Sequence, residues 1–88
     1  MRMIELWRDH VDFEHEGEMF RLSGDLSDGF VAWLSWTERL TTGGEAIPLS
    51  EQEQMRVMYL VRDNWNENDK CSICFISDNY DVLCDTRM

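Results

Sequence analysis

The side chains able to do chemistry fall into three groups. Cys71-x-x-Cys74, with Cys84 and either His10 or His15 as further ligands, has the composition of a zinc site. Residues three apart on a strand point to opposite faces, however, and Ile73 and Phe75 mark this segment as a strand, with no glycine between the thiols to form a knuckle. The cysteines are therefore expected to pack, and no metal is expected. Asn64, Asn66, Asn68 and Asp69 approach a calcium loop, but Asp69 stands where the loop needs glycine and Phe75 where it needs a bidentate glutamate. The third group is carboxylates: Glu14, Glu16 and Glu18 alternate along one stretch, and Asp78 and Asp81 flank Tyr80. Exposed carboxylates on turns keep ordinary acidity and lack a cleft. Neither histidine stands at a recognisable spacing from a nucleophile, and there is no glycine-rich phosphate loop. No enzymatic activity and no cofactor are expected.

The remaining chemistry is recognition. Eighteen acidic and eight basic side chains give a net charge of -10, which argues against nucleic acid or anionic membrane as direct ligands and favours a basic protein. The acids concentrate toward both ends of the chain. Four tryptophans and two tyrosines supply the side chains that most often anchor interfaces. Trp36 and Trp65 fall at periodic core positions, whereas Trp7, Trp33 and Tyr80 fall off the inferred core faces. Candidate partner contacts are Asp12, Glu14, Glu16 and Glu18, Trp33, Asp63, Glu67 and Asp69 at a helix exit, and Asp78, Tyr80 and Asp81 near the C-terminus. Carboxylates around aromatic anchors would steer a basic partner, raising association rate more than final affinity. The plain alternative is that the acidity serves solubility alone.

Positioning those residues requires a scaffold, and the most legible part of it is a helix from Ser50 to Asn66. Ser50 and Glu53 have the spacing of a capping box, and Val57, Met58, Val61 and Trp65 share one face with Met55 beside them. Ahead of it, alternation marks strands at Met3–Trp7 (Ile4 and Leu6 inward), Val11–Glu14 and Met19–Gly24, the last two joined by a turn at His15–Glu18. Phe30–Trp36 is apolar at both parities, with Phe30, Ala32, Leu34 and Trp36 on one face. Cys71–Ile76 is a further strand; Val82–Cys84 is too short to define. The eighty-eight residues, 1–88, are expected to form one α+β domain: a mostly antiparallel sheet of four or five strands with one helix packed on one face.

Three cysteines, an odd number crowded into the last fifth, argue for reduced thiols. The N-terminal residues carry charge where a secretion signal needs an apolar block, and the longest apolar run, Phe30–Leu34, is far short of the ~20 residues that span a bilayer. A soluble, cytoplasmic protein is expected.

The order of these motifs resembles a small immunity-protein family of bacterial polymorphic toxin and contact-dependent growth inhibition systems. The resemblance is carried by Met3-Ile4-Glu5-Leu6, Val11-x-Phe13, Phe20-x-Leu22-x-Gly24-Asp25-Leu26, Phe30 to Trp36, Gly44-Glu45, and the Pro48-Leu49-Ser50-x-x-Glu53 helix start with its Val57/Val61 stripe. It covers about residues 3–76; residues 77–88 lie outside the shared pattern. It implies a cytosolic antidote that binds one cognate toxin domain, commonly a nuclease, one to one. The matching motifs bear the fold, so no binding residues transfer from the family. An alternative function is an acidic nucleic-acid mimic that inhibits a DNA- or RNA-binding protein.

Overall fold

A computed structural model describes residues 1–65 and 71–87. The chain begins with an antiparallel meander of β1 (Arg2–Leu6), β2 (His10–His15) and β3 (Glu18–Leu26). The β2–β3 loop is two residues long, and both Glu16 (φ 50°) and Gly17 (φ 84°) are left-handed, the backbone that the twist of the flanking strands selects. Alternation holds in β2 and β3: Val11, Phe13, Phe20 and Leu22 are fully buried on one face. In β1 the parity changes. A bulge between Met3 and Glu5 sets Met3 opposite Phe13 and Leu6 opposite Val11, so these two pack on the core, while Ile4, expected inside, is 39% exposed.

Strand β3 changes partner along its length. Met19–Arg21 pairs with β5 (Glu38–Leu40), and Gly24–Leu26 pairs with β4 (Phe30–Trp33). At Gly24 the two backbones approach so closely that a Cβ would lie 1.8 Å from the Val31 carbonyl oxygen. β5 pairs in turn with β6 (Ala46–Pro48). The strand expected over Phe30–Trp36 ends at Trp33, and Leu34–Trp36 form a 3-10 turn. Three residues per turn break the period of two, so Trp36, expected in the core, is rotated off the face of Phe30 and Ala32 and is 53% exposed.

Helix α1 spans Glu51–Asn64. Ser50 caps it by accepting from the Glu53 amide at 3.2 Å, whereas the Glu53 carboxylate meets Arg56 at 3.5 Å instead of closing the box. Val57, Met58 and Val61 are buried against Phe13, Phe20, Phe30 and Phe75; Met55, at the margin of the stripe, is 44% exposed. Trp65 ends the helix with its edge toward Phe13 and its Nε1 donating to the Cys71 carbonyl at 2.8 Å.

The chain returns as β7 (Ile73–Ile76), parallel to β4, the arrangement that needs a long crossover; β5, β6 and α1 supply it. β8 (Val82–Asp85), undefined from sequence, adds an edge strand antiparallel to β7. The sheet runs β1-β2-β3-β4-β7-β8, with β5 and β6 branching from β3. The fold is α+β as expected, but with eight strands among the described residues rather than four or five. Its radius of gyration is 11.7 Å, close to the ~12 Å of a compact chain this long. No helix among the described residues is long and apolar enough to cross a membrane.

Candidate partner-binding surface

The hairpin carboxylates stand beside basic side chains of their own chain. Asp12 faces away from α1 in the register Glu5, Asp12, Arg21, Glu38 across four strands. It is 5% exposed, and both its oxygens accept from Arg21, Nε at 2.8 Å and Nη2 at 2.9 Å. The hydrogen bond to Asp12 holds the Arg21 pKa above its ordinary value, with the charges of Asp12, Glu38 and Glu5 adding to it. Asp12, expected as a partner contact, is thus an internal ion-pair residue, because mid-strand pairing sets it under Arg21. Glu14 meets Arg2 at 3.3 Å, Glu18 meets Arg56 at 3.6 Å, and Glu16 lies 3.8 Å from a His15 ring nitrogen. Asp63 pairs with its neighbour Arg62 at 2.9 Å. Glu67 and Asp69 lie outside the described residues.

The β7–β8 turn differs. Trp33 projects from the outer face of β4, its ring centroid 4.5 Å from that of Trp36 and 6.1 Å from that of Tyr80 in an edge-to-face contact. Tyr80 is 72% exposed and held at φ 66°, a left-handed conformation uncommon for an aromatic residue. Its turn is pinned: the Ser77 hydroxyl accepts from the Asn79 and Asp81 amides, and the Tyr80 amide donates to the Ser77 carbonyl at 2.9 Å. Asp78 accepts from the Ser35 hydroxyl at 2.7 Å, which ties this turn to the 3-10 turn. Neither Asp78 nor Asp81 has an ion-pair partner among the described residues. The structure therefore brings together Trp33, Asp78, Tyr80 and Asp81 of the sequence-derived set and adds Trp36. The available sign for Trp36 was its polar flanks, Ser35 and Thr37, which interrupt the apolar run after Leu34.

Two shallow clefts adjoin this surface. One, of about 290 Å³, runs between α1 and the Ser77–Asp81 turn and is lined by Leu34, Met55, Asp78 and Leu83. The other, of about 320 Å³, lies in the fork where β3 passes from β5 to β4, lined by Ser23, Ser35, Trp36, Thr37, Glu38 and Pro48.

Among the described residues, Glu5, His10 and Asp12 form the one group with metal-ligating separations, their donor atoms within 4.8 Å of one another. Each is already matched. Trp7 Nε1 donates to Glu5 at 2.8 Å, Arg21 holds both Asp12 oxygens, and His10 Nδ1 meets Asp9 at 2.8 Å. A guanidinium in contact with the would-be ligand opposes a second cation, so these residues read as a satisfied hydrogen-bond network. Cys71, Cys74 and Cys84 are free thiols, partly buried, and burial pushes all three pKa values up.

Comparison of the chain with protein-family models, curated proteins and solved structures finds no match.

Proposed function

We propose that the protein is a non-enzymatic cytoplasmic antidote that binds a cognate basic toxin domain, a nuclease, one to one and covers its active-site surface. The observation that carries this reading is an aromatic cluster, with Trp36 and Tyr80 exposed and Trp33 half-buried, beside two carboxylates that have no ion-pair partner among the described residues. Aromatic anchors supply buried area at low entropic cost, and uncompensated carboxylates favour a basic face over a neutral one. Nuclease surfaces are basic because they bind phosphate, so a net charge of -10 suits such a target.

On this reading the turn end contacts the partner and the hairpin rim assists by long-range attraction. The test is co-expression with the toxin domain of the same locus, followed by co-purification and a nuclease assay. The paired change Trp36→Ala and Tyr80→Ala should abolish neutralisation, with a loss of about 100-fold or more in affinity. Glu14→Lys with Glu16→Lys should leave neutralisation intact. The reading fails if the toxin domain is neither bound nor inhibited, and its placement fails if only the hairpin changes matter.

A further inference from the structure

The cleft in the β3 fork has a chemical character of its own. Where β3 leaves β5 after Arg21 and joins β4 at Gly24, the strands separate around Ser23, and the 3-10 turn with Thr37 fills the gap. Thr37 is 1% exposed, yet its hydroxyl has no hydrogen-bond partner among the described residues. A buried polar atom left unsatisfied is costly, and a native structure that retains one calls for a ligand or water to complete it. The remaining lining is of one kind. Ser35 directs its hydroxyl proton to Asp78, which leaves its oxygen lone pairs to accept. Glu38 presents a carboxylate with no ion-pair contact among the described residues, and Arg21, its register partner, is held by both oxygens of Asp12. Trp36 closes one side with an exposed ring backed by Trp33 at 4.5 Å. The cleft thus offers hydrogen-bond acceptors, negative charge and an aromatic face.

The geometry points to this cleft as a receptor for one arginine side chain of a basic protein partner. This rests on the proposed reading of the protein as a binder of a basic protein and names what that partner inserts. A guanidinium has five N–H donors and no acceptor, is planar, and stacks on indole while its edge donates to carboxylate and hydroxyl oxygens. Lysine, with a compact ammonium and three donors, matches fewer of these groups. At about 320 Å³ the cleft is at the small end of ligand sites, the size for a side chain rather than a larger ligand. The Ser35–Asp78 hydrogen bond links it to the Tyr80 turn, so an arginine seated here would belong to one continuous contact with Trp33 and Tyr80.

The test is amide and indole NMR of the full chain titrated with the blocked tripeptide acetyl-Gly-Arg-Gly-amide, and with the same peptide carrying lysine or citrulline. Citrulline keeps the shape and loses the charge. The arginine peptide should shift the Trp36 indole and Thr37 amide signals saturably, with lysine weaker by about fivefold and citrulline without effect. Glu38→Gln and Thr37→Val, both near-isosteric, should each weaken binding by about fivefold to tenfold while the remaining spectrum stays native. Shifts of equal size with citrulline, shifts concentrated on Glu14, Glu16 and Glu18, or unchanged binding in both variants would overturn the assignment. The two readings separate cleanly. Arginine binding without toxin neutralisation would keep the cleft and remove the antidote; neutralisation that survives Glu38→Gln and Thr37→Val together would keep the antidote and remove the cleft.

Discussion

Single side chains in this protein carry opposite kinds of strain. Thr37 is buried with a hydroxyl that has no hydrogen-bond partner among the described residues, so Thr37→Val should raise stability by up to about 1 kcal/mol in a urea melt while, on the proposed assignment of the cleft, weakening arginine binding. A residue that costs stability and aids binding is the pattern of a functional site. Arg21 is the reverse. Its guanidinium neutralises Asp12, whose side chain is 7% exposed, while Arg21 itself is 31% exposed. Arg21→Met strands that carboxylate and should cost about 1–3 kcal/mol, a loss that Asp12→Asn in the same chain should partly restore. Asp85 adds a pH dependence: hydrogen bonds from Arg87, side chain first and then backbone, hold its pKa below the usual value. A depressed folded pKa contributes stability that is present above the unfolded value of about 3.9 and is lost as pH falls through the folded one. Asp85→Asn should therefore cost stability at neutral pH, cost little below the folded pKa, and so flatten the acid limb of a stability profile followed by urea melts.

At the scale of elements, β3 is the member on which the others depend, because it pairs with β2 along one edge and with both β5 and β4 along the other. Gly24 sits at that division. Gly24→Ala would drive a methyl into the Val31 carbonyl and should cost more than about 3 kcal/mol, whereas Gly43→Ala, whose nearest neighbour would be 3.8 Å away, should change thermal stability little. Helix α1 is less sensitive at its start. Ser50→Ala removes one capping bond and should cost about 1 kcal/mol, because the helix is held chiefly by Val57, Met58 and Val61 on the sheet. The Ser77–Asp81 turn carries no core residue, yet several internal hydrogen bonds fix it. On the proposed reading, such pre-organisation lowers the entropic cost of binding through Tyr80.

The whole molecule carries two unlike acidic patches. At the hairpin, Arg2 and Arg56 pair with Glu14 and Glu18; at the β7–β8 turn no cation pairs with Asp78 or Asp81 among the described residues. Exposed pairs contribute little to stability, but they reduce the net field that a partner meets. On the proposed reading, Asp78→Lys with Asp81→Lys should slow association with a basic partner and flatten its salt dependence more than Glu14→Lys with Glu16→Lys does, as measured by stopped-flow at several ionic strengths.

By itself the sequence determined the local structure: the period of two in β2 and β3, the Glu16-Gly17 turn, the Ser50 cap, the buried stripe of α1 and the net acidity of the chain. These follow from residues near one another in the chain, where side-chain period and turn chemistry act directly. Tertiary structure decided the rest. The bulge that exposes Ile4, the fork of β3, the short strands β5 and β6, the pairing of Asp12 with Arg21 and the exposure of Trp36 all depend on which strand lies alongside which. Strand pairing joins residues distant in sequence, and no periodicity along one segment specifies its partner or the place where pairing stops. The candidate site lies where those non-local choices meet, which is why Trp33, Asp78, Tyr80 and Asp81 could be named from the sequence, Thr37 and Glu38 could not, and Trp36 carried only the sign of its polar flanks.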